Sequence, residues 1–366
     1  VKSIERKAIA YYITPHGFGH AVRALEIIRC LLELRNDLEI VVVSDIPDFL
    51  IEQNVGRLLP QRRRRLDVGL VQLDSLRFDL DASRNTLDSL YYNHHALVDE
   101  EIGFLESQHA GVVVSDISFL ALEASSRCGI PNVGISNFTW DWIYDYYARS
   151  DPRWSPLVSW IRGCYRKCDL FLQLPMHGDC SACPRILDVP LVTRKAKRKP
   201  EEVRRILDLD SSRKAYLIAF AALELDEDAQ RRIEKLDHAL FFYKQPLKFQ
   251  LSNARSLDGV DLSYAEVVSV MDAVITKPGY GIAADCLAHG APMIYTDRGP
   301  FPEYDILVEE MTRHLTTVFI PSEDLYAGHW ESAVRNIESL PRRSPTLRDD
   351  GAEICARSIL KQAGWD

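Results

Sequence analysis

The sequence predicts an α/β protein built from two doubly wound domains in tandem. Three observations carry that reading. Short β-branched runs alternate with longer segments whose apolar residues recur at helical spacing, the pattern of βαβ units around a parallel sheet. The chain has 366 residues, room for roughly two domains of about 150 residues each. Between the two series of elements lies Thr193 to Pro200, a basic stretch without large apolar side chains, as a solvated linker requires.

Taken in order, Ala8 to Ile13 reads as a strand and Ala21 to Leu34 as a helix, with Ala21, Leu25, Ile28, Leu31 and Leu32 at helical spacing. Glu39 to Ser44 is again strand-like, and its continuous run Ile40-Val41-Val42-Val43 suits a strand buried on both faces. The rhythm recurs with a strand at Gly111 to Ser115, a helix through Ala121 to Cys128, a Gly129-Ile130-Pro131 break and a strand at Asn132 to Ser136. Beyond the linker come strands at Ala215 to Ala221 and Ala239 to Tyr243, separated by a helix at Asp226 to Leu236. A helix at Tyr264 to Met271, a strand at Ala273 to Thr276, a helix at Ile282 to Ala288 and a strand at Met293 to Thr296 follow. Ile354, Ile359 and Leu360 give the tail helical spacing. The expected organisation is an N-terminal domain over 1–193, a linker over 194–200, a C-terminal domain over 201–348 and a terminal helix over 349–366 that packs back on the N-terminal domain.

Composition excludes several classes. Hydrophobic residues at 46% and charged residues at 27% describe a folded globular chain. A net charge of -9 repels phosphate backbones and argues against general nucleic-acid binding. No stretch approaches the run of about 18 apolar residues that spans a bilayer, and Val1 to Arg6 carries charge without a signal-peptide core. A cytoplasmic protein with reduced thiols is the expectation.

In open parallel sheets the ligand site lies beyond the carboxyl ends of the strands, so two loops stand out. Thr14-Pro15-His16-Gly17-Phe18-Gly19-His20 follows the first strand; Gly17 and Gly19 permit a tight turn near a phosphate, and His16 and His20 are candidate bases. The alternative is that one histidine caps the helix and the other packs. The spacing is wrong for a three-glycine dinucleotide fingerprint, and the lysine of a P-loop is absent. Thr276-Lys277-Pro278-Gly279-Tyr280-Gly281 is the second loop, where free amides at a helix N-terminus attract an anion such as a diphosphate. Asp285, one turn on, is placed to accept hydrogen bonds from a ribose diol, or else simply complements the helix dipole. Asp297 to Asp305 forms a third polar, Pro-rich loop.

With these residues in view the chain resembles a GT-B glycosyltransferase. It is similar to the group containing the peptidoglycan N-acetylglucosaminyltransferase, and closer to the glycosyltransferase-like N-terminal region of plant L-arabinokinases. The matching stretches are Tyr11 to Arg23, Val113 to Asp116, Asn137 to Tyr144, Asp188 to Val192 and Lys277 to Gly281. The resemblance implies two Rossmann-like domains facing each other across a cleft. It implies a nucleotide-sugar donor, with uridine as the expected base, held by the C-terminal domain: Lys277, Gly279, Tyr280 and Gly281 near the diphosphate, Asp285 near the ribose, Glu303 and Asp305 near the sugar hydroxyls. A hydroxyl acceptor would enter from the N-terminal domain, with His20 as base, His16 as second candidate and Asp116 orienting the histidine or acting as base itself. No bound metal and no separate cofactor are implied, because amides and helix dipole serve the leaving diphosphate. Where many relatives have Gly-Gly after the strand, this chain has Ala221-Ala222-Leu223-Glu224. That departure keeps open a noncatalytic module that binds a nucleotide sugar or sugar phosphate, and a nucleotide-sugar epimerase is a lower alternative.

Three further features stand beside these. The stretch Asn137 to Tyr147 concentrates aromatics and acids suited to sugar stacking, with Asn137, Trp140 and Asp141 the candidate acceptor contacts, or suited equally to an interdomain wall. Cys164, Cys168, Cys180 and Cys183, with His177 nearby, are a weak zinc candidate against buried reduced thiols. Arg62 to Arg65 is a basic run that could meet an anionic membrane or an acidic acceptor, or be a solvated surface.

Overall fold

The structure, a computed structural model, describes residues 8–73, 76–209 and 212–365; the charged stretch Val1 to Arg6 lies outside the described residues. The chain divides into two compact units. Unit 1 takes residues 8–71, 79–193 and 348–365; unit 2 takes 194–347 and also the short excursion at 72–78.

Unit 1 opens with β1 (Ala8–Ile13), α1 (Phe18–Leu34), β2 (Glu39–Val43), α2 (Asp48–Val55) and β3 (Gln61–Arg62). A two-stranded ribbon, β4 (Val71–Gln72) with β5 (Phe78–Asp79), precedes the 28-residue α3 (Leu80–Ser107). Asp79 caps α3 by accepting the Ala82 amide. Then come β6 (Ala110–Asp116), α4 (Phe119–Arg127), β7 (Asn132–Ser136), α5 (Trp140–Ala148), α6 (Ser155–Tyr165), β8 (Leu170–Gln173) and β9 (Ile186–Asp188). The strands form one sheet in the order β3-β2-β1-β6-β7-β8-β9, with parallel neighbours throughout. Every residue of β1 is buried, as an all-apolar central strand of a doubly covered sheet should be.

Unit 2 contains α7 (Pro200–Ile206), β10 (Lys214–Ala219), α8 (Glu227–Glu234), β11 (Ala239–Tyr243), β12 (Ala254–Ser256), α9 (Tyr264–Val270), β13 (Ala273–Thr276) and α10 (Tyr280–His289). It continues with β14 (Met293–Thr296), α11 (Glu303–His314), β15 (Thr317–Ile320), α12 (Ser322–Tyr326) and α13 (Glu331–Ser339). Its parallel sheet runs β12-β11-β10-β13-β14-β15. A core of Tyr216, Ile218, Phe241, Ile275, Ile294 and Trp330 fills one face.

The last helix, α14 (Gly351–Gln362), belongs to unit 1 and packs along α1. Its first residue must be small: a Cβ on Gly351 would stand 2.7 Å from the Leu191 carbonyl oxygen. The segment expected to be a solvated linker is tied down at two points. Arg194 is ion-paired with Asp285, and Arg198 with Asp261 at 2.6 Å and Glu266 at 3.1 Å.

Candidate active site

Strand order decides where the chemistry can gather. In unit 1 the chain passes from β1 outward to β2 and returns to place β6 on the other side of β1. The loops after β1 and β6 therefore leave in opposite directions and open a crevice at their carboxyl ends. The first of these loops carries His16 to His20, and the second begins at Asp116.

Gly17 makes the turn. Its φ of 88° is a left-handed value that a side chain would strain, and it lets α1 start at Phe18, three residues before the apolar periodicity suggests. Gly19 and His20 are thus in the first helical turn rather than in a loop. His20 Nδ1 lies 2.8 Å from Asp116 Oδ1. Asp116 is itself gripped by Arg23, whose Nε donates to Oδ2 and Nη2 to Oδ1, both at 2.7 Å. The same guanidinium donates to Asn137 Oδ1 at 2.8 Å and to Ser136 Oγ at 2.9 Å. Burial by itself would raise the Asp116 pKa, but Arg23 and then His20 outweigh it and hold the carboxyl below its ordinary value. Asp116 is therefore an anion held at the centre of this network.

His16 sits apart from this network. Burial lowers its pKa, against the opposing influence of Asp67. Its ring meets Trp140 edge-on at 5.8 Å; Trp140 meets Phe138, and Phe138 meets His20 at 5.7 Å. Two histidines thus stand on one aromatic wall. The candidate acceptor residues are all buried and hold internal partners. Asn137 receives Arg23, Trp140 donates through Nε1 to Asp67 at 3.1 Å and stacks on Tyr144, and Asp141 accepts from Arg162 Nε at 3.0 Å. Burial raises the Asp141 pKa, with Thr139 and Arg162 pulling the other way.

Unit 2 repeats the topological device. Strand order reverses between β10 and β13, and Thr276 Oγ1 donates to the Ala219 carbonyl at 2.6 Å, fastening the two strand ends together. Beyond β10 lie Ala221, Ala222 and Glu224, all exposed. Beyond β13, Gly279 is the extended N-cap of α10, and nothing lies within 4 Å of where its Cβ would stand. Open space therefore borders Gly279 on its Cβ side at the start of the helix. The helix begins at Tyr280, so Gly281 belongs to its first turn. Asp285, a turn further on, is buried against Arg194, which also lies 5.1 Å over the Tyr264 ring. Glu303 and Asp305 are in the first turn of α11, which packs on α10. Glu303 is buried, 3.5 Å from Arg298 Nη1, whereas Asp305 is exposed.

The remaining candidates resolve locally. Cys164, Cys168, Cys180 and Cys183 are all buried thiols. A hydrogen bond with Cys168, then burial, raises the Cys183 pKa, and burial pushes Cys164 up to about 12. Among the described residues no group of three or more His, Cys, Asp or Glu side chains is placed to hold a metal. The arginine run is consumed by acids: Arg62 pairs with Glu101 at 2.8 Å, Arg63 with Asp48, Arg64 with Glu100, and Arg65 with Asp45 at 2.7 Å. No described helix is long and apolar enough to cross a membrane.

Sequence reasoning missed Arg23 and Ser136 as site residues. A signal existed for the first: an arginine on the apolar face of α1, between Ala21 and Ala24 and one turn after His20, needs a buried partner. Ser136 carried none.

The architecture is the GT-B glycosyltransferase fold. Over 98% of this chain and 95% of the other, it superposes on the crystallised glycosyltransferase of kitacinnamycin with a TM-score of 0.62 at 14% identity. A UDP-glucosyltransferase from Polygonum tinctorium gives a TM-score of 0.60 at 12% identity, over 98% and 93% of the two chains. No protein-family model matches the chain. In sequence it is 27% identical to L-arabinokinase of Arabidopsis thaliana over 366 residues, 99% of this chain but only 35% of that protein's length.

Proposed function

We propose that this chain transfers a glycosyl group from a nucleotide diphosphate sugar, read as a UDP-sugar, to a hydroxyl acceptor. The observation that carries the reading is the His20–Asp116 pair at the β1/β6 switch point, with a 2.8 Å contact through Nδ1. An imidazole held through one nitrogen by a carboxylate offers the other as a general base. Proton removal by His20 turns the acceptor hydroxyl into a nucleophile, Asp116 steadies the imidazolium, and the anomeric carbon moves from the diphosphate to the acceptor oxygen. On unit 2 the amides at Gly279 to Gly281 receive the diphosphate and stabilise its charge as it leaves, with Lys277 adding a cation. Glu303 and Asp305 take sugar hydroxyls. In unit 1 the wall of Phe138 and Trp140, backed by Asn137 and Asp141, borders the acceptor. The fold shared with a UDP-glucosyltransferase supports the donor class.

A second reading has its own support. Ala221, Ala222 and Glu224 border the β10/β13 switch point, and Asp285, the expected ribose acceptor, is already paired with Arg194. Both features favour a binding module that holds a nucleotide sugar or sugar phosphate without turning it over. A thermal-shift screen against UDP, dTDP, GDP, ADP and their sugars separates the readings, because a ligand that binds only the native state raises its apparent stability. A shift with one nucleotide family, followed by acceptor-dependent release of that nucleotide, is the expected result. A shift without release under any acceptor supports the module. No shift overturns both.

A further inference from the structure

We propose that Ile117 and Tyr165 are positioning residues that set the direction of the Asp116 carboxylate toward His20: a strained turn aims it, and a buried phenol latches the turn. Four described residues other than glycine have a left-handed φ, and Ile117, at 59°, is the β-branched one among them, the kind that tolerates the conformation least. It directly follows Asp116. Asp116 ends β6, with its carboxylate turned to His20 and Arg23 of α1 and its carbonyl accepting the Thr14 amide at 3.3 Å. After two more residues the chain enters α4, which packs on α3 and α6. The left-handed residue turns the chain within that short space, and the Ser115 hydroxyl closes the turn on the Ser118 carbonyl at 2.8 Å.

A left-handed isoleucine persists where its surroundings hold it. The Ile117 side chain is buried, and its carbonyl accepts the Tyr165 phenol at 2.7 Å. Tyr165, the fully buried last residue of α6, has a second task. Its oxygen accepts the amide of Trp140, the first residue of α5, at 3.2 Å, where Thr139 supplies no side-chain cap. One phenol thus joins the turn after Asp116 to the start of the helix after β7. Release the latch, and the isoleucine backbone relaxes toward its ordinary regions and carries Asp116 with it. The long Arg23 side chain can follow a displaced carboxylate and the short His20 side chain cannot, so the His20 contact is the one lost.

The direction of Asp116 stands on geometry alone; its weight in catalysis rests on the reading of His20 as base. Without any ligand, the readout is the rate at which the His20 Nδ1 proton, which Asp116 accepts, exchanges with water in proton–nitrogen spectra of the full chain labelled at histidine. Tyr165→Phe keeps the ring and removes the latch, and is expected to speed that exchange about tenfold. Ile117→Gly takes the left-handed turn without strain. In its background Tyr165→Phe should therefore change the rate by less than about twofold. A phenol that merely caps α5 would give the same change in both backgrounds. Ile117→Asn, which also tolerates the conformation, takes the place of Ile117→Gly if the glycine variant fails to fold. In a transfer assay with the nucleotide sugar selected by the thermal-shift screen, Tyr165→Phe lowers kcat about tenfold with donor KM unchanged, and Ile117→Gly/Tyr165→Phe recovers most of it. A wild-type Nδ1 proton too labile to detect, an unchanged rate in Tyr165→Phe, or equal changes in the two backgrounds overturns the proposal. Faster exchange with undiminished kcat upholds it and retires His20 as the base.

Discussion

The two switch points of this molecule occupy the same topological place in two sheets and are furnished in opposite ways. At β1/β6 in unit 1 a helix delivers His20 and Arg23 among buried partners, Asp116, Ser136 and Asn137. At β10/β13 in unit 2 Gly279 is extended with empty space beside it, and Ala221, Ala222 and Glu224 of the neighbouring loop are exposed. The first arrangement fixes the direction of a side-chain lone pair, which a base requires. The second, on the proposed reading, presents amides and a helix dipole to a ligand that brings its own charge. On the proposed reading, the same fold rule yields a proton site or an anion site, according to whether side chains or backbone border the crevice.

The largest expected effect tests that division directly. His20→Ala should lower kcat by about 100- to 10,000-fold, the usual share of a general base, while nucleotide affinity in a thermal-shift titration stays within about twofold of wild type. Loss of nucleotide binding instead would erase the distinction between the two sites.

Next comes the buried anion of unit 1. Asp116→Ala leaves the Arg23 charge without its carboxylate and should cost about 3–5 kcal/mol in urea unfolding. The sign with pH follows from the depressed carboxyl. A group that titrates lower in the folded state than in the unfolded chain adds stability that is complete above its ordinary pKa of about 3.9. That stability is lost as pH falls through the lower folded value. Thermal midpoints between pH 5 and 2.5 should therefore fall more steeply for wild type than for Asp116→Asn. Parallel curves would contradict the assignment.

Two smaller changes probe unit 2. Arg194→Ala removes the guanidinium from the buried carboxylate of Asp285 and should cost about 1–3 kcal/mol. If Asp285 meets a ribose diol, nucleoside diphosphate affinity rises in this variant relative to nucleobase-free diphosphate; equal changes in both would remove Asp285 from the ribose. Restoring glycines in Ala221→Gly/Ala222→Gly should tighten donor binding by only about threefold, well under the roughly 1.4 kcal/mol of a tenfold change. An unchanged Kd by calorimetry would show that the methyl groups do not border the donor.

Much of the fold was legible because its signals are local. The bounds of β1, β7, β11, β13 and β14 coincide with the strand-like runs of the sequence, and a proline stands immediately before β7 and β14. Helix starts were less legible. Both α1 and α10 begin earlier than their apolar periodicity, at Phe18 and Tyr280; a left-handed Gly17 turns the chain before α1, whereas Gly279 before α10 is extended. Periodicity reports the face a helix buries, and in the first turn of α1 Phe18 is exposed and Gly19 and His20 add no apolar side chain to the pattern.

His16, His20, Asp116 and the Gly279 turn could be named from composition and place after a strand, since residue type and strand end together limit what those positions can do. The sequence by itself therefore determined two parallel sheets, the loops where ligands gather and the residue types available there. Only the tertiary structure decided which of them meet. Arg23 lies 93 residues from Asp116 and 113 from Ser136, and no periodicity along the chain encodes such a distance. Their convergence depends on β1 lying between β2 and β6 and on β7 flanking β6. Strand order is set by how both faces of a whole sheet are covered, a collective property of packing, and through it the fold brings one guanidinium within hydrogen-bond reach of a histidine, an aspartate and a serine.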